Sequence, residues 1–393
     1  MTNTDAPRID APIEVSVDVL IIGGGIAGLW TLARMQQAGY KTVLLESEAL
    51  GAGQTRYAQG IIHGGTKYAL TGKLTASSEA VADMPSRWRA CYEGNGELDL
   101  THAELLSDAH YLWSTTSLTS RISGFFASKV MRARSTAMES TGDKKSLPSI
   151  FQHKDFKGQF YRLDEPVFNT LSVVRALAEP RKQSILIVNR ETLLPDDGKM
   201  NVQSAQGTAY CFHYNKIIFI AGEGNEDLVS QSGKKQPVMQ RRPLKMVVMR
   251  GVQDDMIYAH CLGASVNPRI TITSHRDEQG NIVWYMGGQL AEDGVNKSDA
   301  ELIQAAKGEL KDLIPWLELK GAQWGVLEIN RAEINLAGKK GAGTIRPDSY
   351  SIEQNENVIT AWPTKMALAP ALADALVNMI DEDSIERNTD FFF

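Results

Sequence analysis

The 393 residues are 43% hydrophobic and 22% charged, with a net charge of −6. These are globular values, with chain enough for about two domains, and they offer no basic surface that would call for nucleic acid as a partner. The three cysteines, Cys91, Cys211 and Cys261, are far apart and form no C-x-x-C pair, which speaks against a disulfide framework or a zinc site and for a reducing compartment, the cytoplasm.

Asp5, Asp10 and Glu14 precede the first apolar run, where a secretory leader would be basic. That run, residues 17–22, reads as a core strand, and no stretch is long enough to span a bilayer. Gly23, Gly25 and Gly28 follow at G-x-G-x-x-G spacing, then a helical run to about residue 39, then a second apolar strand over 42–45 that ends in Glu46. Strand, glycines, helix, strand and acid in that order form the βαβ dinucleotide fingerprint. Gly23 turns the chain off the strand, Gly25 lets a pyrophosphate approach the backbone, and Gly28 lets helix and strand pack closely. The helix N-terminus offers N–H groups and its positive dipole end to the phosphate. Glu46, eighteen residues after Gly28, is placed to accept from the ribose hydroxyls.

Residues 51–60 (GAGQTRYAQG) are rich in small side chains, so backbone there can lie close to a ligand. His63, Lys67 and Tyr68 follow in the string IIHGGTKY. Residues 74–88 and 117–131 carry helical periodicity, 109–112 a strand, and 141–145 a polar loop. A helix precedes Pro180, and strands follow over 184–188, 208–214 and 216–220, the last running into Ala221 and Gly222. The segment 244–288 is β-rich, with a hairpin turn at 275–281 between two strands; His260 lies on another strand of this segment and is a further candidate base. Ser298 and Glu301 open an amphipathic helix over 298–313 with a capping box. A last strand over 357–360, the turn Ala361 to Lys365, and a helix over 366–380 bearing Pro370 near its start repeat the strand–turn–helix arrangement that suits an anion.

At these residues the chain resembles the FAD-dependent oxidoreductases of the D-amino-acid oxidase superfamily, which includes glycine oxidase and sarcosine oxidase. Some pieces are most similar to FAD-linked glycerol-3-phosphate dehydrogenase: HGGTKY resembles that group's H-G-G-L-R-Y, and Arg331 and Arg346, fifteen residues apart, with Lys365 beyond them, match its spaced cations though not the glycines beside them. The resemblance implies an α/β fold, a Rossmann-type FAD-binding domain interleaved with a β-rich α+β substrate domain. The expected division is 13–90, 165–236 and 327–393 for FAD, and 91–164 and 237–326 for substrate.

It implies FAD contacts at Gly23, Gly25, Ile26, Ala27, Gly28, Glu46, Ser47, Gly53, Gln54, Thr55, Gln59, Gly60, Ile61, Leu193, Ala221, Gly222, Pro363, Thr364, Lys365, Met366 and Ala367. The catalytic and substrate residues it implies are His63, Lys67, Tyr68, Arg331, Arg346 and Lys365. Fixed arginines suit a carboxylate or phosphate, and a helix N-terminus at Lys365 suits developing negative charge. The expected function is hydride transfer from a small anionic substrate (hydroxy acid, amino acid or polyol phosphate) to flavin N5, with oxygen or another acceptor taking the electrons onward. The alternatives are an amino-acid oxidase of glycine-oxidase or D-amino-acid type and, in another class, a non-catalytic flavin-binding sensor.

Overall fold

A computed structural model describes residues 11–65, 79–115, 147–251, 256–263, 267–337 and 346–382. The expected helix over 117–131 and loop over 141–145 lie outside these residues, as do Lys67 and Tyr68. In chain order the strands are β1 (Ile13–Ile22), β2 (Thr42–Glu46), β3 (Leu105–Ser107), β4 (His110–Ser114), β5 (Gln159–Leu163), β6 (Val167–Phe168), β7 (Ile185–Ile187), β8 (Lys199–Gln203), β9 (Ala209–Phe219), β10 (Met239–Arg250), β11 (Tyr258–Cys261), β12 (Ile270–Arg276), β13 (Ile282–Gly287), β14 (Gln323–Ile334), β15 (Ser351–Asn355) and β16 (Val358–Trp362). The α-helices among the described residues are α1 (Ile26–Gln37), α2 (Met84–Tyr92), α3 (Thr170–Ala178), α4 (Asn225–Gln231), α5 (Gln289–Asp293), α6 (Asp299–Leu313) and α7 (Ala369–Glu382).

The chain folds into two compact units, one holding residues up to Arg56, 174–240 and from Ala332 onward, the other 57–173 and 241–331. The first unit is built on a sheet of order β15-β16-β9-β1-β2-β7, with β8 beside β9. β1 pairs in parallel with β2 and β9, β16 with β9, and β2 with β7. Parallel strands buried on both faces read as unbroken apolar runs, and Val19, Leu20, Ile21 and Ile22 are all buried. Leu20, Ile22, Leu45, Ile217 and Phe219 share one core. α1 is tied to α7 by the Arg34–Asp374 ion pair (3.1 Å) and by the Tyr40 hydroxyl donating to Asp381.

Two expected strands over 208–220 are one, β9: its N-terminal half pairs with β8 and its C-terminal half with β16, and β1 runs along the other side of both. The last strand proves to be half of a hairpin with β15. The expected helix at 366 opens with a 3₁₀ turn, Met366–Leu368, before α7, so Pro370 sits in the first turn, where its missing N–H costs nothing.

The second unit carries a sheet of order β14-β10-β13-β12-β11-β4-β5 and a small ladder of β3 with β6. β12 and β13 form the expected hairpin, whose turn is held by Asp277 accepting from the backbone of Gln279 and Asn281. α6 has its capping box in place: Ser298 Oγ accepts from Glu301 N–H, and the Glu301 carboxylate accepts from Ser298 N–H. Its buried face, Leu302, Ala306, Leu310 and Leu313, joins a core with Trp113, Phe151, Trp284 and Met286.

By its internal contacts the first unit runs to Arg56 and the second begins at Tyr57. Phe168 N–H donates to the Gly60 carbonyl, Ile61 bridges Val167, and Trp88 of α2 packs on Phe168 at 5.7 Å between ring centroids; these contacts fasten Gly60, Ile61 and α2 to β6. Of the helix expected over 74–88, residues 79–88 are described: 80–83 form a turn that interrupts it, and α2 starts at Met84 with Pro85 in its first turn.

Candidate functional site

In the first unit, the β1–α1 turn has the geometry that phosphate binding needs. Gly23 has φ +122°, and a Cβ there would meet the Ala221 backbone at 2.7 Å. A Cβ on Gly28 would meet the Gly23 carbonyl oxygen at 1.9 Å, so only glycine lets α1 lie this close to β1. On Gly25 a Cβ would meet nothing nearer than Thr55 Oγ1 at 3.3 Å, and beside Gly53 nothing within 4 Å. The approach to the start of α1 is therefore open, and no side chain caps that helix. Ile26 N–H donates to Thr55 Oγ1 at 3.2 Å, which joins the small-residue loop to the helix start.

Glu46 ends β2 with both oxygens held by backbone: Oε2 accepts from Gly24 N–H (2.6 Å), Oε1 from Ser47 and Glu48 N–H (2.7 and 2.8 Å). A carboxylate fixed in this way is pre-aimed for ribose hydroxyls, and each oxygen has further lone pairs to offer. Leu193 is buried with Leu45 and Val188 in the core beside this strand end. Ala221 and Gly222 follow β9; Asn225 Oδ1 accepts from Ala221 N–H (2.8 Å), while its Nδ2 donates to the Ala361 carbonyl (3.1 Å). One buried asparagine thus joins the turn after β9 to the end of β16. Gln54 Oε1 accepts from Ala332 N–H at 3.2 Å.

The turn Pro363 to Lys365 is the second anion-suited feature. Thr364 has φ +60°, an uncommon and costly conformation for a β-branched residue, and its Oγ1 is buried without a hydrogen-bond partner. Lys365 Nζ donates to the Asp348 carbonyl at 3.2 Å. Nearby in sequence, Arg346 has its Nε buried and without a partner. Buried polar atoms in this state are exceptions that want an explanation. Met366 begins the 3₁₀ turn, and Ala367 is buried in it. An open helix start, a pre-aimed carboxylate and the orphaned Thr364 hydroxyl on the C-terminal turn together fit a bound dinucleotide.

In the second unit, Gln59 Nε2 donates to Thr273 Oγ1 (3.1 Å) and to the Tyr285 carbonyl (3.3 Å). Gly60 has φ +74° and packs so tightly on the Phe168 carbonyl that a Cβ would lie 2.0 Å from it. Ile61 is buried against Val167 and Tyr258. Arg331 is occupied: its Nη1 meets Glu292 at 3.2 Å, and Nε and Nη2 donate to the Arg242 and Pro243 carbonyls. The cations expected to hold one anion are thus divided between the units, Arg331 in one, Arg346 and Lys365 in the other.

His63 stands in a cluster that the sequence does not announce. Its Nδ1 lies 3.2 Å from Oε2 of Glu165, which is 3% exposed. Glu165 Oε1 accepts from Gly64 N–H at 2.8 Å, and His110 Nδ1 is 3.6 Å from Oε2. His260 stacks on His63 at 5.4 Å and meets His110 edge-on at 4.2 Å; its Nδ1 pairs with Thr271 Oγ1 at 2.7 Å. Topology brings them together: β4 carries His110, β11 beside it carries His260, and Glu165 follows β5, the other neighbour of β4. Ile62 N–H donates to the Pro166 carbonyl (2.9 Å) and lays His63 alongside. Burial pushes the Glu165 carboxyl up, but hydrogen bonds and charge from His110 and His63 outweigh it and hold it well below the usual carboxylate range. Sequence reading missed Glu165 and His110. Their only sequence signal is that of a lone acid before a proline and a lone histidine on a strand, which two sheet contacts and a loop must join.

Among the described residues no helix is long and apolar enough to cross a membrane. The family model for FAD dependent oxidoreductases, DAO, matches residues 18–355. The chain is 45% identical over 375 residues to the probable FAD-dependent oxidoreductase PA4991 of Pseudomonas aeruginosa, covering 95% of this chain and 93% of that one. The crystal structure of PA4991 superposes with a TM-score of 0.81, over 98% and 95% of the two chains. Glycine oxidase from Geobacillus kaustophilus shares the fold at 12% identity, TM-score 0.65, over 95% and 97%. So does L-α-glycerophosphate oxidase from Mycoplasma pneumoniae with FAD bound, at 15%, TM-score 0.64, over 93% and 95%. On this match and on the cradle described above, the chain belongs to the DAO family of FAD-dependent oxidoreductases and is an enzyme that uses FAD.

Proposed function

We propose that the enzyme oxidises a C–H bond next to a hydroxyl or amine in a small anionic substrate, with His63 removing the hydroxyl or amine proton. The observation that carries this reading is the buried Glu165 carboxylate on His63 Nδ1. An imidazole that donates Nδ1–H to an anion carries its basic lone pair on Nε2 and gains stability when it accepts a second proton. Glu165 is therefore a positioning residue, and His110 shares its charge.

FAD, when bound, supplies the hydride acceptor. Gly25 and the start of α1 would hold its pyrophosphate and Glu46 its ribose, and Ala221, Gly222, Leu193 and the Thr364–Ala367 turn would complete the first unit's share. Arg346, whose Nε lacks a partner, is the residue we assign to the substrate anion, with Lys67, Tyr68 and Lys365 in support. Arg331, held by Glu292, takes a structural role in this reading. Oxygen or another acceptor takes the electrons onward. Three free buried cysteines suit the cytoplasm.

The anionic class draws support from proteins of the same fold: glycine, L-α-glycerophosphate, iminodiacetate and L-proline, named for the enzymes that share it, all bear a carboxylate or phosphate. An amino-acid oxidase is the second reading, favoured by glycine oxidase structures from two bacteria among these neighbours. The test is anaerobic mixing of the yellow holoenzyme with amino acids, 2-hydroxy acids and polyol phosphates. Bleaching of the flavin band by one anionic class is the expected result and separates the two readings. Bleaching only by neutral or cationic compounds would sink the proposal.

A further inference from the structure

We propose that Glu14, Cys211 and His213 form a binding site for one zinc-class divalent cation on the first unit, apart from the residues assigned to FAD. Their donor atoms, a carboxylate oxygen, Sγ and an imidazole nitrogen, all lie within 4.8 Å of one another. Cys211 Sγ is 3.7 Å from His213 Nε2, which is 2.8 Å from Glu14 Oε2.

In a tetrahedral zinc site with bonds of about 2.0–2.3 Å, neighbouring ligand atoms stand about 3.3–3.6 Å apart. The sulfur–nitrogen spacing matches. The nitrogen–oxygen spacing needs to open by about half an ångström, a small rotation for exposed side chains. Borderline-soft sulfur and nitrogen with one carboxylate form a donor set that zinc prefers to magnesium or calcium.

The site is built by register rather than by a loop. Cys211 and His213 are alternate residues of β9 and so share a face. Glu14 of β1 is the parallel-ladder partner of Cys211. Cys211 is buried, while the Glu14 and His213 side chains are 60% and 47% exposed, which leaves a path for the ion and a fourth position for water. Two features oppose binding: Lys199 of β8, opposite His213, places a positive charge beside the ion, and burial and the Glu14 carboxylate push up the Cys211 thiol, which must lose its proton to bind. On binding, the thiol proton passes to solvent as the metal–sulfur bond forms, and no redox step is involved. The ion would clamp the start of β1 to β9. The sequence shows only the Cys211-x-His213 pair, because Glu14 is 199 residues from His213 and meets the pair only through strand pairing.

The test is equilibrium dialysis of chelator-treated holoenzyme against buffered zinc, with bound metal counted per chain and melting followed with and without zinc. The expected result is one zinc per chain at micromolar free zinc, a zinc-dependent rise in melting temperature, and reversal by chelator. Cys211→Ser and His213→Gln weaken binding about a hundredfold or more, since even outer partners of metal ligands cost 10- to 100-fold. His213→Gln alters a half-exposed side chain, and the flavin band reports that each variant is folded. Lys199→Ala binds zinc at least as tightly as the wild type. Zinc binding undiminished in the Cys211→Ser/His213→Gln double variant, or no zinc bound by folded wild type at micromolar concentration, would overturn the assignment.

Discussion

Glu46 and Glu165 are carboxylates with different duties, and each supports a prediction. Glu46 is part-exposed and held by three backbone N–H groups. Its replacement by alanine removes a charged acceptor from the ribose and releases the turn that follows β2. Hydrogen bonds to charged groups are worth about 1.5–3 kcal/mol, so Glu46→Ala should weaken FAD binding by roughly 10- to 150-fold, read as cofactor lost on desalting and as a raised dissociation constant. Retention of FAD at wild-type affinity would remove Glu46 from the cradle. Glu165 is buried and paired with histidines. Glu165→Gln keeps the shape and deletes the charge. Loss of general-base assistance is worth about 10²-fold or more, so kcat should fall by about that factor while KM changes little, and the acidic limb of the kcat/KM profile should move. A variant with wild-type kcat and an unmoved profile would leave His63 without its proposed role.

At the scale of elements, α6 and the β1–α1 unit show how much local sequence can decide. α6 is legible because its signals are local: Ser298 and Glu301 are three apart, and the apolar stripe Leu302, Ala306, Leu310 and Leu313 repeats at helical spacing. Ser298→Ala removes the cap and should cost about 1 kcal/mol, read as a lower urea midpoint at an unchanged slope. A midpoint equal to wild type would mean that solvent satisfies the helix end as well as the serine does. β15 went unseen because its exposed residues Glu353, Gln354 and Asn355 lack an apolar pattern; pairing with buried β16 makes it a strand. The start of the second unit at Tyr57 leaves no mark in the local sequence, because it rests on Gly60, Ile61 and Trp88 meeting β6, about a hundred residues on.

For the whole molecule, the perturbed groups set the pH and chemical behaviour. The folded-state pKa of Glu165 lies below its ordinary value of 4.5, so its pairing stabilises the fold above that pH and the contribution disappears as pH falls through and below it. Acid melting should therefore be steeper in the wild type than in Glu165→Gln below pH about 4.5, measured by melting temperature against pH; parallel curves would mean that Glu165 is not linked to folding. Burial pushes the Cys91 and Cys261 thiols up to about 12, which leaves them protonated and unreactive. A thiol reagent should label neither in the native protein and both in urea; rapid native labelling of either would contradict its burial. The sequence by itself determined the dinucleotide fingerprint and the α/β class, because glycine spacing, strand periodicity and a terminal acid act within about thirty residues; FAD came from the resemblance of its motifs to a known superfamily. Only the tertiary structure decided that Arg331 is spent on Glu292, that His63 belongs with Glu165, His110 and His260, and that Glu14 meets Cys211 and His213. Those groups are made by strand pairing and loop docking between distant segments, and a long-range contact leaves no period in the chain for a reader to find.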